Sequence, residues 1–198
     1  MRQILLLGAG KIGRTIASLL GHSGGYAVRV GDVEERALAR LAGLPNVETR
    51  RGDVTDRAQV LAAMQECSAV VSACSYAVNP GIASAALATG CSYFDLTEDV
   101  ATTRAVRACA ERAAPGQVFM PQCGLAPGFI GIAGHHLTQG FESLDEVRLR
   151  VGALAQFPTG ELKYNLTWST DGLINEYCNP CEAICDGRKV EVQALEGL

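Results

Sequence analysis

The run Ile4-Leu5-Leu6-Leu7 passes at once into Gly8-Ala9-Gly10-Lys11-Ile12-Gly13. No other stretch restricts the fold as strongly. An apolar run ending in G-x-G-x-x-G dictates a buried strand, a tight turn and the first turn of a helix. Gly8 permits a turn that a β-carbon would obstruct. Gly10 lets the main chain approach a pyrophosphate, and Gly13 lets the helix pack closely on the strand. The amides of Lys11, Ile12 and Gly13 then face the anion with the helix dipole behind them. Ile12, Ile16, Leu19 and Leu20 recur at helical spacing and predict the face turned toward the sheet. A glycine-rich turn without a ligand is the bland alternative; the strand before and the helix after argue against it.

Strand-like and helix-like stretches then alternate. A second strand over 27–32 ends in Asp32, followed by Val33. Asp32 lies about 20 residues beyond the glycines, where a strand-tip carboxylate bonds the ribose hydroxyls. Its competing role is to cap the next helix, over 34–38. A carboxylate there repels a 2′-phosphate and predicts NAD over NADP; Arg36, Arg50 and Arg51 argue the other way. A third strand over 47–50 leads into Arg51-Gly52-Asp53-Val54-Thr55-Asp56. Asp53 and the Val54 amide can reach an adenine edge from there. Alternatively, Asp53 or Thr55 caps a helix over 57–64.

The fourth strand, 69–74, is small and apolar, as a central parallel strand should be. Ligands of doubly wound sheets sit beyond the strand C-termini. That rule puts Ser72, Ala73 and Cys74 on the cofactor side and Tyr76 toward a substrate. A helix follows over 81–89. A fifth strand over 93–98 carries Asp95 and Glu98 at its exit. A helix over 104–113 and a sixth strand over 118–120 lead to Gln122-Cys123-Gly124-Leu125-Ala126-Pro127-Gly128-Phe129, a bent, rigid exit that brings Gly124 to the substrate side. A helix over 130–137 closes the unit. The expected fold class is α/β: over 1–140, a Rossmann-type doubly wound parallel sheet with helices on both faces.

Residues 141–198 read as an incomplete second α+β domain, for substrate binding and dimerisation, and truncated. About 50 residues is near the lower limit for a separate core. Residues 144–151 alternate like a half-buried strand. Ser169-Thr170-Asp171 can cap a helix over 172–177, and 185–192 reads as a turn into a strand. Amides near Ser169 and Thr170 could receive a substrate carboxylate, which Asp171 opposes. Unpaired strand edges at 144–151 and 190–195 predict a homodimer or larger homo-oligomer, formed through residues after about Phe141.

A net charge of −4 argues against nucleic acid or an anionic membrane as the main partner. No apolar stretch is long enough to span a bilayer. A strand starting at the N-terminus leaves no room for a signal peptide. The eight scattered cysteines read as reduced thiols of a cytoplasmic protein. His135 and His136 are adjacent on a helix, so their rings diverge and do not chelate together. Cys178, Cys181 and Cys185 lack a fourth ligand for zinc. No metal is expected.

Six stretches together resemble the saccharopine dehydrogenase-like oxidoreductases. They are the glycine turn, Gly31-Asp32, Arg51-Gly52-Asp53-Val54, Cys91-Ser92-Tyr93-Phe94-Asp95-Leu96, Gly124-Leu125-Ala126-Pro127-Gly128-Phe129, and Leu166-Thr167-Trp168-Ser169-Thr170-Asp171-Gly172-Leu173 continued to Tyr177. Within that family the chain looks like the lysine 6-dehydrogenases. Saccharopine dehydrogenases often carry Asp-Pro-Gly where this chain has Ala126-Pro127-Gly128, which points toward lysine itself. The resemblance implies hydride transfer from the carbon bearing the side-chain amine of lysine to NAD, followed by imine hydrolysis. Such chemistry needs a base for the ammonium. Glu98 is the first candidate and Asp95 the second; the competing reading leaves Glu98 and Asp99 solvated or capping a helix. Two other classes stay open: a saccharopine dehydrogenase or related imine-reducing enzyme, and an NAD-binding sensor without chemistry.

Overall fold

The computed structural model describes residues 1–152, 156–161 and 170–194. They divide into two compact units, Met1–Val151 and Gly152–Leu198.

The first unit is built on strands β1 (Arg2–Leu7), β2 (Tyr26–Asp32), β3 (Val47–Arg51), β4 (Ala69–Ser72), β5 (Ser92–Asp95) and β6 (Phe119–Met120). They form one sheet in the order β3-β2-β1-β4-β5-β6, parallel at every pairing. Successive side chains of β1 point to opposite faces. Leu5 and Leu7 therefore enter one core with Val70, Ile82, Tyr93 and Val106. Leu6 enters another with Ala17, Val28, Val30 and Leu41. Both faces are covered, which is why β1 reads as an unbroken apolar run rather than an alternating one. Leu5 and Leu6 have no exposed surface; burial of each contributes about 1.5–3 kcal/mol.

The helices are α1 (Lys11–His22), α2 (Glu35–Ala39), α3 (Arg57–Ala63), α4 (Asn79–Thr89), α5 (Val100–Ala110) and α6 (Phe129–Thr138). The packed face of α1 differs from the expected one. Gly13, Ala17 and Gly21 are its buried residues, with Ile16 and Leu20 packed beside them. Ile12 and Leu19 are 50% and 69% exposed. Close approach is the cause. A β-carbon on Gly21 would lie 2.3 Å from the Pro45 carbonyl oxygen, so the smallest residues, not the largest, line the contact.

Element ends also moved. Asp56, not Asp53 or Thr55, caps α3, accepting from the amides of Ala58 and Gln59. Asp53 instead takes the Thr55 amide at 2.8 Å and the Thr55 hydroxyl at 2.7 Å. Strand β4 stops at Ser72, and α4 begins at Asn79 with a proline in its first turn and ends on left-handed Gly90. Such a pairing of Pro at the start and Gly past the end favours a helix of those bounds. Helix α5 starts at Val100, earlier than expected, because the Asp99 carboxylate accepts the Thr102 amide at 2.6 Å.

The strand expected over 144–151 is absent. Those residues carry no strand pairing and are exposed. Alternation supplies the side-chain pattern of a strand but not the neighbouring edge that a strand needs. A β-carbon on Gly134 of α6 would meet a Leu149 methyl at 2.7 Å, so the segment runs against a helix instead.

The second unit contains α7 (Thr170–Cys178) and a hairpin of β7 (Cys181–Cys185) with β8 (Arg188–Val192). Asp186 and Gly187 turn it with φ of 50° and 71°, a pair of left-handed residues suited to a two-residue hairpin. Strand β7 was not expected from the sequence, since Cys181-Glu182-Ala183-Ile184-Cys185 holds one β-branched residue, Ile184, and no aromatic one to mark a strand. Among the described residues no helix is long and apolar enough to cross a membrane.

Candidate dinucleotide-binding site

Strand order reverses between β1 and β4, which opens a crevice beyond their C-terminal ends. The glycine turn sits there. The Gly8 amide donates to the Gly31 carbonyl at 2.8 Å, and Gly8 holds φ +97°, a conformation that side chains disfavour. A β-carbon on Gly8 would meet the Ala73 carbonyl at 2.8 Å, and one on Gly13 would meet the Gly8 carbonyl at 1.9 Å. Gly10 differs: nothing lies within 4 Å of its β-carbon position. It is the N-cap of α1, with no side-chain cap. Two glycines are thus required by the protein's own packing, while the third borders open space at a helix N-terminus. That geometry fits a diphosphate.

Asp32 ties this turn to the tip of β2. Its Oδ2 accepts the Ala9 amide at 2.6 Å and its Oδ1 the Glu34 amide at 2.8 Å. It does not cap α2, whose N-cap is Glu34 without a side-chain bond. The carboxylate is therefore held in place beside the glycine turn, where a ribose would lie. Next to it a groove of about 380 Å³ is lined by Val33, Arg51, Gly52, Asp53 and Gln59. The Gly52 amide donates to the Asp32 main-chain carbonyl at 3.0 Å, so the groove adjoins the tip of β2. Val54 packs its side chain against the core. Of the three arginines singled out, only Arg51 lines the groove. Its Nε donates to the Val33 carbonyl at 3.3 Å, and its Nη1 lies 3.7 Å from Glu35. Arg36 and Arg50 are exposed.

On the other side of the crevice the expected residues divide. Ser72 is buried and donates to the Asn79 Oδ1 at 2.7 Å, bracing the loop from within. The Cys74 thiol lies 3.2 Å from the β-carbon position of Gly8, beneath the turn. Burial pushes it up to about 11, so it is a neutral filler at physiological pH. Ala73 backs the turn through its carbonyl. Tyr76 is half-buried, and its carbonyl accepts the Thr102 hydroxyl at 3.4 Å.

Asp95 has no exposed surface. It accepts the Tyr93 hydroxyl at 2.8 Å, the Thr97 amide at 2.9 Å and the Gln122 amide at 3.2 Å. The Cys123 amide reaches its carbonyl at 2.8 Å. Asp95 therefore staples the exits of β5 and β6 together, and burial with its charge drives the Tyr93 phenol upward. Glu98 is half-buried, one residue before the Asp99 cap. Gly124 packs against both neighbours: its β-carbon would meet the Pro127 carbonyl at 3.2 Å and the Leu96 carbonyl at 3.3 Å. Gly128 holds φ +133°, and a β-carbon there would lie 2.3 Å from the Gly124 oxygen. The loop between is a closed turn with a cis Ala126–Pro127 bond.

In the second unit Thr170 opens α7 and is exposed; Ser169 lies outside the described residues. His135 and His136 are exposed on α6, and the His135 Nε2 is 2.9 Å from the Gln139 amide nitrogen. Cys178 and Cys185 are exposed free thiols. Among the described residues no cluster of three metal-ligating side chains occurs.

Sequence reading missed Gln59 and Asn79. The Asp56-Arg57-Ala58-Gln59 spacing is a capping-box pattern and could have flagged the first. Asn79 had no local signal, since its partner Ser72 lies on another element.

A parallel sheet with this strand order, a glycine turn at its switch point and a carboxylate at the β2 tip define a Rossmann-type domain for a nicotinamide dinucleotide. The family described as the saccharopine dehydrogenase NADP binding domain matches residues 4–120, and the chain belongs to it. Among solved structures it is similar to apo saccharopine dehydrogenase (L-Glu forming) from Saccharomyces cerevisiae, with a TM-score of 0.68 and 20% identity. The match covers 98% of this chain and 44% of the yeast one. The chain thus spans less than half the length of that relative, and the likeness is one of fold. A PbgP3 protein from Burkholderia pseudomallei matches with a TM-score of 0.49 and 14% identity over 61% of this chain and 57% of its own. A Rossmann-fold NAD(P)-binding family protein from Shigella flexneri gives 0.48 and 19% over 61% and 66%.

Proposed function

We propose that this chain is the dinucleotide-binding part of an NAD-dependent oxidoreductase acting on the CH–NH2 group of an amino acid, and that its substrate is the side-chain amine of lysine. The observation that carries the reading is the joining of the β5 and β6 exits at Asp95 beside the glycine turn's crevice. Glu98, Tyr76 and Gly124 are the residues assigned to the substrate in this reading; Glu98 and Tyr76 are half-buried, and Gly124 packs on the Leu96 carbonyl. Ala126 in place of an aspartate at the β6 exit favours lysine over saccharopine.

Bound NAD would supply the hydride acceptor. The ammonium of the substrate must first lose a proton, and Glu98 is the group assigned to take it. Asp95 is the weaker candidate, because both of its oxygens already accept hydrogen bonds and neither meets solvent. The C–H electron pair then leaves with the hydrogen, a C=N bond forms, and water releases ammonia and a semialdehyde. NAD rather than NADP follows from Asp32, with Val33 beside it. The family description names NADP, and Arg51 in the groove is the residue that would serve its phosphate. In this reading the protein is cytoplasmic and homo-oligomeric, with neither nucleic acid nor membrane as a partner.

The full-length protein should form NADH and ammonia from lysine. Glu98→Gln should lower turnover by about 100-fold and leave NADH affinity unchanged. Unchanged turnover in that variant clears Glu98 of the role. Oxidation of saccharopine, or reduction of an imine from an amine and a keto acid, without ammonia from lysine, moves the assignment to the imine-reducing enzymes. NADH binding with no turnover of any of these leaves a sensor.

A further inference from the structure

One side chain, that of Gln59, bridges both ends of the loop between β3 and α3. The Gln59 Oε1 accepts the Asp53 amide at 3.1 Å, and its Nε2 donates to the Asp56 Oδ2 at 2.8 Å. Gln59 thus grips both ends of Asp53-Val54-Thr55-Asp56. Asp53 closes the inner turn on Thr55, and Asp56 caps the helix that carries Gln59. These hydrogen bonds hold the carboxyls of Asp53 and Asp56 below their ordinary range, so both are charged when the loop is closed. The same glutamine lines the 380 Å³ groove with Val33, Arg51, Gly52 and Asp53.

We infer that Gln59 is the positioning residue for the adenosine end of the dinucleotide. It rests on the dinucleotide reading above. Val33, the residue after the Asp32 carboxylate, lines the groove, and the Asp32 main-chain carbonyl bonds the Gly52 amide beside it, so the base attached to that ribose enters between Val33 and Asp53. One wall of that slot is a loop of short, polar residues. Such a loop samples many conformations unless it is tied down, and ordering it on binding would weaken affinity. Gln59 ties it down beforehand. It acts through Asp53 and Asp56.

The consequence is confined to one half of the ligand. Gln59→Leu removes both bonds at similar volume. Gln59→Glu keeps the acceptor for the Asp53 amide but sets a carboxylate against Asp56. Affinity for ADP-ribose, measured by calorimetry, should fall about three- to tenfold in both variants. Affinity for nicotinamide mononucleotide, followed by NMR titration, should stay as in wild type. Thermal unfolding of each variant checks that it folds, and Gln59→Glu carries the test if Gln59→Leu does not. A change of less than about threefold for ADP-ribose overturns the inference, as does an equal loss for both ligands. Wild-type protein that binds neither ligand defeats the dinucleotide reading itself, a separate result.

Discussion

In the proposed reading, the Asp32 carboxylate would serve structure and recognition together. Its two oxygens take the amides of Ala9 and Glu34, each leaving lone-pair capacity for a ribose hydroxyl. The charge that would repel a 2′-phosphate is therefore fixed beside the glycine turn rather than free to swing away. We expect wild type to bind NAD more tightly than NADP, and Asp32→Ser to narrow the ratio by about tenfold, or ~1.4 kcal/mol. Calorimetric titration with both cofactors measures it. NADP binding more tightly than NAD in wild type would refute the preference and shift attention to Arg51.

At the level of elements, the strand, turn and helix of residues 2–22 behave as one piece, and its three glycines separate what folding needs from what binding needs. Gly13→Ala places a methyl 1.9 Å from the Gly8 carbonyl. Backbone must shift, and a loss of about 1–3 kcal/mol follows, seen as a lower Tm. Gly10→Ala meets nothing within 4 Å, and the φ of −65° and ψ of −166° at that position suit alanine. Its Tm should match wild type while its NADH affinity falls, because the methyl enters the space left for a diphosphate. A Gly10→Ala protein with unchanged NADH affinity would place the diphosphate elsewhere.

Over the whole molecule, the question left by the fold is the apolar surface that closes the first unit. Phe129, Ile132 and Leu137 of α6 are exposed, as are Phe141, Leu144 and Val147 after it. A second copy of the chain is the proposed cover for these apolar side chains. We expect the protein to be at least a homodimer, formed through residues after about Phe141. Sedimentation equilibrium tests it; Phe141→Asp with Leu144→Asp should shift the population to monomer. Wild type that sediments as a monomer at every concentration would exclude the assembly.

Much of the fold was legible because it depends on local chemistry. The apolar run before Gly8 and the glycine spacing carry their reason within a few residues, since strand period and turn geometry are local constraints, and Asp32 was legible from its fixed spacing after them. Alternation of strands and helices announced a doubly wound parallel sheet, while the strand order β3-β2-β1-β4-β5-β6 is read from the folded chain. What the sequence could not decide depends on groups far apart in the chain. Asp95 reads as an acid at a strand exit, and only the folded chain brings the Gln122 amide onto it and seals it from water. Ile12 and Leu19 have the spacing of a buried face, yet the close approach of Pro45 to Gly21 turns the helix onto its small residues. Residues 144–151 have the alternation of a strand and no edge to pair with. Each of these outcomes was fixed by which neighbour arrives from elsewhere, a matter of packing between elements that no local pattern encodes.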